Sequence, residues 1–213
     1  MTKKAILFDL DGTLTDSGEG IINCAGLALA HFGLPVPDPD TMRVFVGPPL
    51  RDTLMHFGVK VENVEEAMQV FRARYTTVGI FENKPYPGIR ELLAKLKEQG
   101  HQLYVATSKP ETMALTVLDH FDLSRYFDII AGATLDKSRD TKAGVIAYLK
   151  EQTGAMTASV MVGDTAFDVT GAAAHGIPTI GVAWGYGRIE DMKAAGAIAI
   201  AQTPEDLFEL LQN

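Results

Sequence analysis

The strongest constraint on the fold is the alternation of short apolar runs with longer helical patterns after residue 88. The apolar runs predict strands at 102–107, 128–131, 159–162, 179–182 and 198–201, with helices between them and a last helix from Pro204. Near-continuous apolar strands joined by helices are typical of a parallel sheet covered on both faces. The chain is therefore predicted to have an α/β fold with a parallel-sheet core.

The segment 17–80 departs from this pattern, because its apolar residues recur at helical spacing and no strand is evident. A first buried strand is predicted just before it, at residues 5–8. The turn-rich run Lys84-Pro85-Tyr86-Pro87-Gly88 marks the return to alternating strands and helices. We expect a core formed by residues 1–15 and 83–213 and an inserted all-helical domain at residues 16–82.

The charge balance limits the partners that such a chain can take. The 213 residues carry a net charge of −8, which disfavours nucleic-acid polymers and anionic membranes and favours a small soluble ligand. Cys24 is the single cysteine, so no intrachain disulfide can form, and a reducing compartment is expected. The first apolar run breaks at Asp9, too early for a signal peptide. These features predict a cytoplasmic protein, either a monomer or a homodimer.

Two acids follow the first predicted strand, in Asp9-Leu10-Asp11-Gly12. Residues i and i+2 of a strand point to the same side, so both carboxylates project from its carboxyl end, where open α/β sheets bind ligands. Carboxylates this close repel each other unless a cation or a shared proton lies between them. A solvated turn is the alternative, but the buried apolar run before the acids favours a functional site.

A second strand end carries Gly163-Asp164, with Asp168 one turn into the next helix. Alone, this pattern fits a helix N-cap with a first-turn acid. Together with the first pair of acids, it predicts a Mg²⁺ site, since magnesium prefers oxygen ligands.

A hydroxyl and a lysine complete the candidate site. Thr107 and Ser108 end a third strand before a helix begins, where a phosphate oxygen can bind, although a simple helix cap is the alternative. Lys142 opens the helix before the strand of Asp164, but position alone does not separate it from Lys109 and Lys137.

The order Asp-x-Asp-Gly-Thr, strand-end Thr, Lys and Gly-Asp-x-x-x-Asp resembles the haloacid dehalogenase (HAD) superfamily over essentially the whole chain. The resemblance implies a Rossmann-like core and identifies the helical insertion with the small helical cap of that superfamily. Tyr86-Pro87-Gly88 and Trp184-Gly185-Tyr186-Gly187 are similar to its phosphoglycolate-phosphatase branch. That branch often has Lys-Pro-x-Pro where this chain has Lys142-Ala143-Gly144; the run 134–142 is more similar to 5′-nucleotidase-like members.

The resemblance also implies roles for individual residues. Asp9 would be the nucleophile that forms an aspartyl-phosphate, and Asp11 would be the general acid and then the general base. Thr107 would bind the phosphoryl group, and Lys142 would balance its charge and orient Asp9. The metal ligands would be Asp9, the backbone carbonyl of Asp11, and Asp164, supported by Asp168. The substrate-binding residues would include Gly12, Thr13 and Ser108. They would also include Arg51 of the inserted domain, although a surface position without a functional role fits the sequence equally well.

These roles predict a Mg²⁺-dependent phosphatase acting on a small phosphorylated metabolite, similar to phosphoglycolate or a nucleoside monophosphate. A sugar phosphomutase is the enzymatic alternative, and a phosphate-dependent binding or signalling module is the non-enzymatic one. The five histidines show no metal-binding spacing and are interpreted as surface or helix-end residues.

Overall fold

The computed structural model describes residues 3–134, 136, 138–154, 156 and 158–212. The chain forms two compact units. One unit comprises Met1–Thr15 and Pro85–Asn213, and the other comprises Asp16–Lys84. The second boundary lies two residues later than the sequence pattern indicates, because the helical pattern gives no signal for the short strand that includes Lys84.

The first unit is built on a six-stranded parallel sheet in the order β5-β4-β1-β6-β7-β8. A separate two-stranded sheet pairs β2 with β3. The strands are β1 (Ala5–Phe8), β2 (Thr15–Asp16), β3 (Lys84–Pro85), β4 (Gln102–Pro110), β5 (Ile129–Ala133), β6 (Val160–Gly163), β7 (Thr179–Val182) and β8 (Ala199–Ala201). The predicted α/β class with a Rossmann-like parallel sheet is confirmed.

Helices follow the strands of this unit in alternation, as the sequence pattern predicts. They are α5 (Ile89–Glu98), α6 (Glu111–His120), α7 (Lys142–Thr153), α8 (Ala166–Ala173), α9 (Ile189–Ala194) and α10 (Pro204–Gln212). One core cluster joins sheet residues such as Leu7, Tyr104 and Met161 to Val145 and Leu149 of α7. Helix α7, which begins at Lys142, is therefore held against the sheet by its apolar face.

The sheet register brings three strand ends together. Phe8, the last residue of β1, pairs with Val105 of β4 on one side and with Val162 of β6 on the other. Residues that follow these three positions therefore meet at one edge of the sheet. This edge carries the acids and the hydroxyl that the sequence places after strands.

The second unit is helical between its terminal strand residues. Its helices are α1 (Gly18–His31), α2 (Pro39–Met42), α3 (Leu50–His56) and α4 (Val64–Tyr75). Arg74 of α4 donates two hydrogen bonds of 2.7 Å to the Glu82 carboxylate, and a third to the Cys24 Sγ at 3.3 Å. Burial raises the pKa of the Cys24 thiol. Within the described residues of the whole chain, no helix combines the length and apolarity needed to cross a bilayer.

Candidate active site

Asp9 and Lys142 form the centre of the site. Asp9 directly follows β1, and its backbone N–H donates to the Val162 carbonyl at 2.9 Å, which extends the ladder with β6. The Lys142 Nζ lies 2.8 Å from the Asp9 Oδ1, 2.8 Å from the Asp168 Oδ1 and 2.8 Å from the Ala106 carbonyl oxygen. One buried ammonium group thus donates a hydrogen bond to the Ala106 carbonyl and forms ion pairs with two carboxylates, which holds the Asp9 carboxylate in place.

Asp168 holds Lys142 while it caps its own helix. Its Oδ2 accepts hydrogen bonds from the Thr165 backbone N–H at 3.0 Å and the Thr165 hydroxyl at 2.9 Å. This is a capping box at the start of α8, and the other carboxylate oxygen faces Lys142. The cap interpretation and the functional interpretation of this acid therefore both apply.

Asp164 lies at the tip of β6 and is held by two loops. Thr13 donates its hydroxyl to the Asp164 Oδ1 at 3.3 Å, and the Tyr186 backbone N–H donates to Oδ2 at 2.8 Å. Gly12 has φ +86°, and a Cβ there would lie 2.3 Å from the Asp164 Oδ2. Glycine is therefore required at position 12, both by the left-handed backbone and by the close approach of the carboxylate.

The three carboxylates of Asp9, Asp164 and Asp168 suit a divalent cation. One oxygen from each lies within 4.8 Å of the others, and all three side chains are buried. Among the described residues at this cluster, Lys142 supplies one positive charge against three negative ones, which leaves two negative charges to be balanced. Buried carboxylates with an oxygen-only donor set match the preference of Mg²⁺. The residues present therefore fit the predicted metal.

Burial and neighbouring charges shift the pKa values of these groups. Burial raises the pKa of Asp164, and the negative charges of Asp168 and Asp9 raise it further. Burial also raises the pKa of Asp9, although Lys142 opposes the shift. Burial disfavours the charged form of Lys142, but Asp168 and Asp9 outweigh that effect and its pKa is raised. The Lys142 ammonium is thus firmly charged, and a cation bound beside Asp9 and Asp164 would favour the charged forms of these two carboxyl groups.

Asp11 forms a separate buried ion pair with Lys109. The Lys109 Nζ donates to both carboxylate oxygens of Asp11, at 3.1 and 2.9 Å. The exposed fraction is 9% for Asp11 and 8% for Lys109, so little water reaches the pair. The edge of the sheet thus holds two distinct lysine–carboxylate groups, one at Asp9 and one at Asp11.

Comparison with known proteins decides the family. A family model described as haloacid dehalogenase-like hydrolase matches residues 6–182. The chain belongs to this family. It is 44% identical over 209 residues to a tyrosine-protein kinase, PtkA, from Mycobacterium tuberculosis, with 97% of this chain and 72% of the relative covered. It is 41% identical over 191 residues to a 5′-nucleotidase from Pseudomonas aeruginosa, with 89% of this chain and 86% of the relative covered.

A solved structure agrees with the family assignment. The crystal structure of a predicted phosphatase from Clostridium acetobutylicum matches with a TM-score of 0.95 at 40% identity, covering 100% of this chain and 99% of that chain. The resemblance to the HAD superfamily is confirmed, and the protein belongs to the predicted enzyme class, the HAD-family phosphatases.

The structure brings most of the predicted site residues of this HAD hydrolase to one edge of the sheet. Thr107 is buried directly after Ala106, and its hydroxyl oxygen accepts from the Lys109 backbone N–H at 3.2 Å. Ser108 is half-buried beside it. Gly12 donates its backbone N–H to the Thr15 carbonyl at 2.8 Å, so that amide is engaged within its own turn.

Two candidates remain, Arg51 and Lys137. Arg51 belongs to the helical unit, where its guanidinium pairs with Glu65 of α4. Lys137, an alternative to Lys142, lies outside the described residues. Of the two described lysine candidates, Lys142 contacts Asp9 and Lys109 contacts Asp11.

Sequence reasoning missed several contacts. From the sequence, the loop Trp184–Gly187 fits either a border of the site or a surface loop. In the structure, Trp184 donates its Nε1–H to the Thr13 carbonyl at 3.0 Å. The glycines of this loop are the sequence signal for its close approach to the site. A Cβ at Gly187 would lie 2.0 Å from the Asp164 carbonyl oxygen, so only glycine fits there. The interpretation of all histidines as surface or helix-end residues is wrong for His101, which is buried and accepts a hydrogen bond from the Lys4 backbone N–H.

Proposed function

We propose that this protein is a Mg²⁺-dependent phosphatase that hydrolyses a small phosphorylated metabolite through an aspartyl-phosphate on Asp9. The observation that supports this most directly is the buried Asp9 carboxylate, held by Lys142 beside two further buried carboxylates. A carboxylate is a competent covalent carrier, because its acyl phosphate is readily hydrolysed. Phosphoryl transfer otherwise requires positioning and charge neutralisation, which this edge of the sheet is built to supply.

The residues divide the reaction between them. Asp9 attacks phosphorus while the phosphorus–ester bond breaks, and the leaving oxygen takes a proton from Asp11. Asp11 then accepts a proton from the water that hydrolyses the aspartyl-phosphate. Lys142 orients Asp9 and offsets negative charge, and the Thr107 hydroxyl binds the phosphoryl group; the contact between Lys142 and Asp9 and the burial of Thr107 support these roles.

The metal would be held by Asp9, the Asp11 backbone carbonyl and Asp164. Asp168 would support the site through Lys142 and the α8 cap. Bound Mg²⁺ supplies Lewis-acid neutralisation of the phosphoryl charge.

The substrate class proposed is a phosphomonoester similar to a nucleoside monophosphate or phosphoglycolate. The 5′-nucleotidase relative supports the nucleotide choice, because it aligns with 89% of this chain. The tyrosine-protein kinase relative motivates a second candidate, in which a hydroxyl other than water accepts the phosphoryl group. A sugar hydroxyl as acceptor would make the enzyme a phosphomutase by the same chemistry.

The experiment is phosphate release with and without Mg²⁺ across nucleoside monophosphates, phosphoglycolate, hexose phosphates and pyrophosphate. Asp9→Asn should abolish release, whereas Asp119→Asn, a matched change at an exposed position of α6, should leave it unchanged. Borohydride reduction of the enzyme during turnover should convert Asp9 to homoserine, the product expected from an aspartyl-phosphate.

Other outcomes would redirect the assignment. Conversion of hexose 1-phosphate to its 6-phosphate without phosphate release would indicate a mutase. Transfer of labelled phosphate from ATP to a tyrosine peptide would indicate the kinase-like candidate. Release that persists in Asp9→Asn would overturn the covalent mechanism, and the absence of any turnover would favour a phosphate-binding module.

A further inference from the structure

Lys109 has no role in the reaction assigned above, although its side chain is buried in the site. We propose that Lys109 is the positioning residue of Asp11, distinct from Lys142, and that it holds the carboxylate where protons are given and taken. The inference rests on the proposed function. Three features of the structure support it.

The first feature is the geometry of the ion pair. The Lys109 Nζ lies 3.1 and 2.9 Å from the two Asp11 carboxylate oxygens, so the ammonium contacts both oxygens rather than one. Both side chains are buried, and a buried ammonium and carboxylate are retained together because either one alone is costly. The pair therefore fixes the carboxylate of Asp11 in place.

The second feature is an irregularity in β4 that directs Lys109 towards Asp11. Ala106 pairs with Ala131 of β5, and Pro110 pairs with Ala133, so four steps along β4 match two steps along β5. A bulge of this kind re-aims side chains and is common beside active sites. The residues inside it are Thr107, Ser108 and Lys109.

The third feature is the space that β5 leaves for this bulge. A Cβ at Gly132 would lie 2.5 Å from the Lys109 carbonyl oxygen and 2.7 Å from the Glu111 Cα. Only glycine lets the bulged backbone approach β5 this closely. The local sequence is therefore adapted to the position that Lys109 occupies.

The chemistry explains why Asp11 needs such a partner. As the Asp9 oxygen bonds to phosphorus and the phosphorus–ester bond breaks, the electron pair of that bond stays on the ester oxygen, which takes the proton of Asp11. Asp11 is left as a carboxylate, which the Lys109 ammonium stabilises and keeps in position to accept a proton from water. Misplacement of a catalytic group by about 1 Å costs about 100-fold in rate.

The test compares two leaving groups in Lys109→Met. Alkyl phosphates need the proton from Asp11, whereas p-nitrophenyl phosphate has a leaving group that departs without one. The measured quantity is kcat/KM, which covers the steps up to departure of the leaving group. We expect kcat/KM to fall about 100-fold for the alkyl substrate and less than about tenfold for the aryl substrate. Lys97→Met, which removes a surface partner of Asp128, is the matched control and should leave both values unchanged.

Equal losses for the two substrates would overturn the inference, because a phosphate-binding lysine affects both alike. Unchanged values in Lys109→Met would also overturn it. A structural defect that only lowers the folded fraction scales both values and cannot change their ratio.

A second comparison covers the case in which Lys109→Met fails to fold. Asp11→Asn and Asp11→Asn/Lys109→Met place a neutral side chain at position 11, so neither buries an unpaired carboxylate there. Equal kcat/KM for the aryl substrate in these two variants supports the inference, since Lys109 then acts only through Asp11. A further loss in the double variant overturns it. Wild-type enzyme that releases phosphate from neither substrate would instead overturn the proposed function, and this inference with it.

Discussion

At the level of single residues, the site contains two buried lysines, and each contacts different carboxylates. Lys142 contacts Asp9 and Asp168, whereas Lys109 contacts Asp11. Both ammonium groups are within 4 Å of a carboxylate in a poorly hydrated environment, where charge pairs act strongly. The proposed nucleophile and the proposed acid–base residue are thus held by different lysines, so each can be perturbed separately.

Asp168→Asn tests the support of Lys142. The asparagine amide can place an N–H group against the Lys142 ammonium, where Asp168 places a carboxylate oxygen. Lys142 then loses one of the two carboxylates that hold it beside Asp9. We expect kcat to fall by about 10- to 100-fold, the range seen when an outer partner of a functional group is removed. Steady-state kinetics with Asp119→Asn as control measures this, and wild-type kcat in the variant would contradict the role of Asp168.

Asp164→Asn tests the metal. The carboxylate is lost while the side-chain oxygen that accepts the Tyr186 N–H can be kept. The Mg²⁺ concentration at half-maximal activity should rise by at least about tenfold, because one of the three buried carboxylates is gone. A magnesium titration that overlays the wild-type curve would exclude Asp164 as a ligand.

Asp9, Asp11 and Asp164 could be predicted from the sequence because each lies just after an apolar strand, and the sheet places such positions together. Lys109 could not be assigned in the same way. Its partner depends on the bulge in β4, and a bulge is a property of the pairing between two strands rather than of either strand alone. For the same reason, β4 was predicted to end at Thr107, although it continues to Pro110.

At the level of secondary-structure elements, the bulge predicts the effect of Gly132→Ala. The three atoms nearest to the new Cβ would be backbone atoms of Lys109 and Glu111 at 2.5 to 2.8 Å, so β4 or β5 must move. We expect a loss of about 1–3 kcal/mol in the free energy of unfolding, together with a lower kcat because Thr107 and Lys109 move with the bulge. Denaturant unfolding and kinetics on the same preparation measure both effects.

The matched control is Gly26→Ala in α1. A Cβ there meets one side-chain methyl of Val36 at 3.2 Å, and alanine favours a helix over glycine. Its stability should be unchanged or higher by up to about 1 kcal/mol. If Gly132→Ala were as stable and as active as this control, the bulge would not constrain the site.

At the level of the whole molecule, the carboxylate cluster would couple binding of the proposed Mg²⁺ to folding. The cluster assembles residues distant in sequence, from the ends of β1 and β6 and from α8, so only the folded chain offers the three carboxylates together. A ligand that binds only the folded state stabilises it by about 2.7 kcal/mol at 100 times its Kd. Mg²⁺ should therefore raise the Tm of the wild-type protein, and at the same Mg²⁺ concentration it should raise the Tm of Asp164→Asn by less. Equal shifts in both proteins would place the metal elsewhere.

Stability should also depend on pH through His101, which is buried and accepts the Lys4 N–H on its Nδ1 at 3.1 Å. Burial lowers the pKa of His101, and the positive charge of Lys4 lowers it further. The unfolded chain then binds the proton more tightly than the folded one. The stability that comes from burying neutral His101 is therefore fully present above the ordinary histidine pKa of about 6.5 and is lost as the pH falls through that value. One proton limits the slope of the free energy of unfolding against pH to about 1.4 kcal/mol per pH unit.

His101→Asn keeps an acceptor for the Lys4 N–H but cannot titrate, so unfolding curves between pH 7.5 and 5.5 should show a shallower pH dependence in this variant. His56→Asn, at an exposed position, should retain the wild-type slope, and equal slopes in His101→Asn and wild type would assign the acid sensitivity to other groups.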